Sequence, residues 1–445
     1  MPNKIVFITL PNLRPKDLVD PELTPTLCDL IADGATVPLI PSFPCVTSPV
    51  QANMVTGRTA DAHGIIGNGF YHRDKKSVEL WTAFNSIYAC PQIWDAFNAQ
   101  PDGPTAAVLH AQNIKDAAAQ FIITPAPIHQ PDGTEKMWCY EKPAKLYEEM
   151  LADLGPFPLQ HYWGPLAGIQ SSQWIADAAV WLIERHAPDL TYLYFPHLDY
   201  AAQKVGPNAP ESQDALKEFD QLLNGFLAGV RATPVGEQTD FVIASEYAIT
   251  DVVRPIYPNR ILREADLLRL DDADGAELLN VGDSPAFAVV DHQFANVYCN
   301  TADPAAVADL FRNTPGIQAV LTGRDRAAVH MDHPRAGDVV LIAEPDAWLA
   351  YYWWLREGAA PPFARTVDIH RKPGYDPVEL FFDPQNKSIP LDATLVKGSH
   401  GAPVTAPAQH AAFITTNPDL ILPGADIIKD TDIYGILTRH FNISN

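Results

Sequence analysis

With 445 residues, 47% of them hydrophobic and 19% charged, the chain has room for two or three domains, or for one large α/β domain with an insertion. Acidic residues outnumber basic ones by 54 to 31, a net charge of -23 that excludes the clustered Lys and Arg surfaces needed for nucleic acid or anionic lipid. Any anionic substrate must therefore meet a local positive centre, such as a metal ion.

The opening MPNKIVFITLP enters a buried-strand pattern at once. It is too short for a signal peptide and shows no small-residue cleavage site, and no later stretch would span a bilayer. The five cysteines (Cys28, Cys45, Cys90, Cys139, Cys299) are odd in number, widely spaced and without a CxxC pair. They read as reduced thiols of a cytoplasmic protein rather than as a disulfide framework or zinc knuckle.

Lys4 to Leu10 is a continuous apolar run, as in a strand buried on both faces of a mostly parallel sheet. Pro25 to Ala32 has helical periodicity and stops at Gly34. The stretch from Pro41 to Arg73 reads as a turn, then a helix with Thr47 at its mouth, then a loop closing on His63 and Asn68. Pro49 suits a first helical turn, where its missing N–H would be unpaired anyway. Thr47 or Ser48 is then an N-cap, with Val50, Met54 and Val55 turned to a core. A hydroxyl at a helix N-terminus is equally well placed to attack phosphorus, because the dipole and free N–H groups favour negative charge.

Further on, Ile93 to Phe97 reads as helix and Thr105 to Leu109 as strand. Pro125 to Pro165 is irregular and rich in aromatics and proline, in the manner of an active-site surround. Trp174 to Arg185 and Ser212 to Val230 read as helices, Asp189 to Phe195 and Asp240 to Ala244 as buried strands. Strands alternating with helices predict a doubly wound α/β sheet, whose ligands sit at the carboxyl ends of the strands. Polar residues follow three strand ends: Asn12 and Arg14, His197 and Asp199, Glu246 and Tyr247. From residue 255 to 365 short β-like pieces surround a helix at Ala305 to Arg312, which predicts an inserted α+β cap between core segments 1–254 and 366–445. In that cap Tyr351 to Trp354 reads most simply as a packed strand, although aromatics of this kind also stack a base or sugar. His292, between two strands, either faces the cleft or closes a turn. A strand at Ala411 to Thr416 and a helix from Ala425 to His440 finish the chain.

LTPTLCDLIADGA, FPCVTSPVQANMVTG, HGIIGN, LDYAAQKVGP, IASEYAIT and GSHG occur in order along nearly the whole chain. In this the sequence resembles the nucleotide pyrophosphatase/phosphodiesterase branch of the alkaline phosphatase superfamily. The resemblance implies an alkaline phosphatase-like fold and a small phosphorylated substrate. It also implies two metal ions, usually zinc, and a threonine that attacks phosphorus. It makes Thr47 the nucleophile, Asn68 a donor to a phosphoryl oxygen, and Asp199 and His400 two ligands of one metal.

Three departures stand out. The family's aspartate after the first strand is Pro11, followed by Asn12. Its DxxGH histidine is Gln203, and its Asp-His pair is Glu246 and Tyr247. Zinc wants about four donors and prefers imidazole to amide, so this set is short of nitrogen. Asp199, Gln203, Glu246 and Tyr247 lean toward Mg²⁺, Mn²⁺ or Ca²⁺, or toward a single ion. His197, His370 and Asp376 are candidate replacement ligands. Lys372 and Arg371 are candidates to meet a phosphate in place of the missing metal, unless this DIHRKPGYDP segment is only an anchored loop. The function expected is a metal-dependent hydrolase of phosphate esters or diesters. The alternatives are a phosphoryl-transferring, isomerising or biosynthetic relative, or a small-molecule-binding protein without catalysis.

Overall fold

The computed structural model describes residues 3–129 and 135–443. Its main sheet is built from β1 (Lys4–Leu10), β2 (Ala35–Ile40), β3 (Ala106–Leu109), β4 (Phe121–Pro125), β5 (Cys139–Lys142), β6 (Leu190–Tyr194) and β7 (Thr239–Ser245). An inserted sheet follows, made of β8 (Ala286–Asp291), β9 (Phe294–Cys299), β10 (Ile317–Thr322) and β11 (Val339–Ala343). Then β12 (Ala411–Thr415) and β13 (Ile428–Lys429) return to the main sheet. Its order is β13-β2-β12-β7-β1-β6-β3-β4-β5. Only β5 and β12 run against the rest. This is the doubly wound, mostly parallel sheet expected.

The apolar run of β1 is continuous because both of its faces are covered. Val6, Ile8 and Leu10 point into one core, and Ile5 and Phe7 into the other. The helices α1 (Pro25–Asp33), α2 (Thr47–Thr56), α3 (Ile93–Asn98), α4 (Ile169–His186), α5 (His197–Val205) and α6 (Pro210–Arg231), with α8 (Asp432–His440) at the end of the chain, supply much of that cover, whereas α7 (Pro304–Phe311) packs on the inserted sheet. Residues of α1, α4 and α6 pack on the first face, those of α2, α3 and α8 on the second. At roughly 25 cal/mol per Å² of apolar surface, this two-sided burial is the main stabilising term.

The inserted sheet has the order β8-β9-β11-β10 with antiparallel neighbours throughout. Its hydrophobic core draws on more than the insertion, taking Tyr71 from before it and Val378, Ile389 and Val396 from after it. Tyr351, Tyr352, Trp353 and Trp354 are at most 1% exposed and leave the strand geometry after Leu349. They are core, and no ligand can stack on them. The C-terminal helix is also shorter than its sequence pattern suggests: Ile428–Lys429 is spent pairing with β2, so α8 begins only at Asp432. Residues 130–134, within the aromatic-rich segment, lie outside the described residues.

Candidate functional site

The carboxyl ends of β1, β6 and β7 meet at one edge of the main sheet, and the chain ties them to one another. Glu246 N–H donates to the Leu10 carbonyl and Asn12 N–H to the Tyr247 carbonyl, both at 2.8 Å. The Asn12 side-chain oxygen takes the Ile249 N–H at 3.0 Å. Asn12, with φ of 54°, is therefore the clasp between two strand ends, its side-chain oxygen turned to Ile249, and it does not line the cleft described below.

α2 enters this edge with Thr47 as its first residue. The N-cap is Val46, whose side chain has no acceptor. The cap is supplied from elsewhere: Asn68 Oδ1 accepts the Ser48 N–H at 3.0 Å. Capping was expected of Thr47 or Ser48; with Val46 at the cap position and Asn68 supplying the acceptor, neither hydroxyl is needed for it. Val50, Met54 and Val55 turn to the core as their spacing requires. Gly57, at φ 65°, ends the helix by returning its N–H to the Asn53 carbonyl.

Thr47, Asp199, Tyr247 and His292 all line one cleft of about 470 Å³, within the usual range for small-molecule sites. Thr47 Oγ1 lies 3.1 Å from the Tyr247 hydroxyl, which also reaches Asp199 Oδ1 at 3.4 Å. Asp199 Oδ2 accepts from the Gln203 amide at 2.5 Å, and Gln203 Oε1 accepts from the Tyr375 hydroxyl at 3.0 Å. Four rings lie in series, the outer pairs stacked and the middle pair tilted at 41°, with these distances between ring centroids. Tyr247 lies 3.6 Å from His400, His400 3.8 Å from His292, and His292 3.8 Å from Tyr375.

Asn68 Nδ2 donates to Asp291 Oδ1 at 3.1 Å, and its backbone N–H donates to Asp291 Oδ2 at 2.7 Å. One amide hydrogen is left for a ligand. Burial pushes the Asp199 carboxyl up to about 7, Glu246 up to about 8 and Asp291 up to about 6, while it holds His292 and His400 well below their ordinary value.

The other candidates are engaged elsewhere. His197 faces Glu218 of α6, Nε2 to Oε2 3.1 Å, rather than the cleft. Lys372 Nζ sits 2.7 Å from Asp376 and 2.5 Å from Glu379, all three buried, so Lys372 and Asp376 neutralise one another and serve neither phosphate nor metal. Arg371 pairs with Asp368 at the surface. His370 does line the cleft, on its rim, with Nδ1 3.3 Å from the Leu80 carbonyl. Sequence reasoning passed over Asp291 and His110. His110 is a cleft residue at φ 60°, and neither of its nitrogens has a hydrogen-bond partner among the described residues.

The family's two-ion centre does not fit these residues. On the Thr47 side Pro11 offers no side-chain ligand and the Tyr247 hydroxyl already bridges Thr47 and Asp199. There Glu246 Oε1 is also taken by Gln51 at 2.6 Å. On the other side His400 Nε2 is buried without a hydrogen-bond partner among the described residues and lies 4.0 Å from Asp199 Oδ1, which gives two of the donors one ion would need. Gln203 turns its NH₂ rather than its oxygen toward Asp199, so it adds no ligand there.

Residues 6–376 match the family model described as type I phosphodiesterase / nucleotide pyrophosphatase. Among curated proteins, an uncharacterized pyrophosphatase/phosphodiesterase of Schizosaccharomyces pombe is 23% identical over 58% of this chain and 46% of its own length. Human ectonucleotide pyrophosphatase/phosphodiesterase family member 7 is 21% identical over 62% of this chain and 56% of its own. The chain thus spans about half the length of the curated relatives it matches.

Two solved structures share the fold. Phosphonoacetate hydrolase from Sinorhizobium meliloti, in complex with phosphonoformate, superposes with a TM-score of 0.65 at 18% identity, covering 99% of this chain and 96% of that one. An inactive variant of murine ectonucleotide pyrophosphatase/phosphodiesterase 5 in complex with AMP gives 0.62 at 14% identity, covering 99% and 96%. With the family model spanning most of its length, the chain belongs to the type I phosphodiesterase / nucleotide pyrophosphatase family.

Proposed function

We propose that this protein hydrolyses phosphate esters or diesters of small molecules, with Thr47 as the nucleophile. The observation that carries the reading is the position of Thr47. It is the first residue of a ten-residue helix, relieved of capping by Asn68, and it opens into the 470 Å³ cleft. The helix dipole favours the negative charge of a phosphoryl group at this place. In the proposed reaction Thr47 Oγ attacks phosphorus, the bond from phosphorus to the leaving group breaks, and the leaving group departs with its oxygen and the proton that Thr47 gives up. The Tyr247 hydroxyl, 3.1 Å from Thr47 Oγ1, orients the attacking lone pair. The remaining Asn68 amide hydrogen is available to a phosphoryl oxygen, and water then releases the phosphoryl group from Thr47.

Asp199 and His400 would hold a single divalent ion, of the zinc type by family or Mg²⁺, Mn²⁺ or Ca²⁺ by oxygen donors. When bound it would polarise a phosphoryl oxygen. The substrate class follows two neighbours, one solved with AMP and one with phosphonoformate. Both ligands are small phosphorus-bearing anions, which the cleft has the volume to hold. All five cysteines are free thiols, and we place the protein in the cytoplasm with them.

The test is turnover of bis-p-nitrophenyl phosphate by metal-supplemented protein. Wild type should release p-nitrophenol, and Thr47→Ala should lose about 10³-fold or more in rate with its circular dichroism unchanged. A wild-type protein inert on a panel of mono- and diesters would instead favour a ligand-binding role. The hydrogen bonding of Asp199, Gln203, Tyr247 and Tyr375 to one another is the feature that would suit that second reading.

A further inference from the structure

His292 and His400 share an arrangement that neither their sequence positions nor the family motifs announce. His400 Nδ1 lies 2.8 Å from the Cys45 carbonyl, and a carbonyl can only accept, so Nδ1 carries the proton. His292 Nδ1 lies 2.7 Å from Asp291 Oδ1, and that carboxylate already accepts two bonds from Asn68, so here too Nδ1 is the donor. Each ring therefore presents a bare Nε2 lone pair. Both Nε2 atoms are buried, neither has a hydrogen-bond partner among the described residues, and the ring centroids are 3.8 Å apart.

A buried acceptor without a partner costs about 1–3 kcal/mol, and two side by side call for a common occupant. A metal-bound histidine characteristically donates its other N–H to a carboxylate or a backbone carbonyl, which is what Asp291 and Cys45 receive.

We infer that His292, together with Asp199 and His400, ligates one divalent cation, taking the part of the histidine that this chain replaces with Gln203. The inserted sheet delivers it. β8 and β9 form a hairpin whose two-residue turn is His292–Gln293, with His292 in the left-handed region at φ 59°. Gln293 N–H fastens the turn to the His400 carbonyl at 2.8 Å. Two imidazoles and one carboxylate with an open position suit Zn²⁺ or Co²⁺ better than Mg²⁺ or Ca²⁺. Among the described residues no three His, Cys, Asp or Glu side chains already stand in ligand geometry, so loading draws Asp199 away from Gln203 and Tyr247. The ion deepens the hydrolase reading, on which only its use, not its binding, rests.

The test is a titration of metal-free full-length protein with Co²⁺, read by visible absorption and by elemental analysis. Wild type should take up one ion per chain with the d–d bands of a four- or five-coordinate site. His292→Asn, which tolerates the left-handed backbone of the turn, should weaken binding more than about 100-fold. His197→Asn and His370→Asn should titrate as wild type. A wild type that binds no Co²⁺, or a His292→Asn protein that binds it unchanged, overturns the assignment. Should His292→Asn fail to fold, X-ray absorption of Co²⁺-loaded wild type decides: two imidazoles are expected, and one or none overturns it. Thr47→Ala should bind Co²⁺ as wild type does. A protein that binds the ion through His292 and cleaves no ester therefore keeps this centre while losing the hydrolase reading.

Discussion

The two halves of the site treat most of their polar atoms in opposite ways. On the Thr47 side the chain has spent most of them internally: Thr47 on Tyr247, Asn12 on Ile249, and Glu246 Oε1 on Gln51, with Glu246 Oε2 alone of these left without a partner among the described residues. On the far side it has left the Nε2 atoms of His292 and His400 buried and without a hydrogen-bond partner among the described residues. A fold tolerates unpaired buried acceptors at about 1–3 kcal/mol each where a ligand offsets the cost. The contrast teaches that the departures from the family pattern are not scattered losses. They put a phenol beside one family cation position, and at the other, where Gln203 replaces an imidazole, His292 stands beside His400.

The largest predicted effect breaks the comparison if it fails. Asp199→Ala and His400→Ala should each lower bound divalent metal, measured as Co²⁺ affinity, by more than the 10- to 100-fold typical of outer partners. Asp291→Asn, which removes only the support behind His292, should fall inside that range. Glu246→Gln, on the nucleophile half, should leave metal content unchanged. Loss of metal in Glu246→Gln equal to that in His400→Ala would mean the halves are not distinct.

Tyr247→Phe sharpens the same contrast at smaller scale. The ring stays, stacked 3.6 Å from His400, while the hydroxyl between Thr47 and Asp199 goes. Turnover should fall about tenfold, the equivalent of one hydrogen bond of about 1.4 kcal/mol, with Co²⁺ affinity unchanged or slightly higher. A large drop in metal affinity would place the hydroxyl among the ligands instead.

Much of this fold was readable in the sequence because its central strands are buried on both faces. Such strands show as unbroken apolar runs, as in Lys4–Leu10 and Leu190–Tyr194. Reading failed where tertiary partners overrode local pattern: residues 428–429 pair with β2 instead of extending α8, and Asn68 caps the helix that Thr47 or Ser48 was expected to cap. The site divides similarly. Thr47, Asn68, Asp199 and His400 lie in short motifs; Thr47 and Asp199 line the cleft, with Asn68 beside the start of α2 and His400 beside Asp199. His292 could not be ranked above His197 or His370, because what distinguishes it is the Asp291 behind it and the His400 ring beside it. The one local signal was a histidine at the tip of VVDHQFANVY, between two apolar runs, where a two-residue hairpin turn exposes its polar residues to whatever it meets.

A third buried histidine gives the smallest prediction and a control for the other two. His63 uses both nitrogens: Nδ1 accepts the Ile65 N–H at 3.0 Å, so Nε2 is the donor, to Asn53 Oδ1 at 2.7 Å. Nothing is left for a ligand, so His63 is structural, with the opposite tautomer to His292 and His400. Burial lowers it to about 3, so the unfolded chain takes up the proton first. Its contribution to stability is whole above the ordinary value of about 6.5 and drains as pH falls toward 3, costing about 2 kcal/mol by pH 5. In urea unfolding, His63→Gln should be less stable than wild type at pH 7, with the gap narrowing by about that amount at pH 5, and its Co²⁺ titration should be unchanged. A gap that widens on acidification would show that His63 is charged in the folded protein, and the distinction drawn between paired and bare imidazoles would lose its reference point.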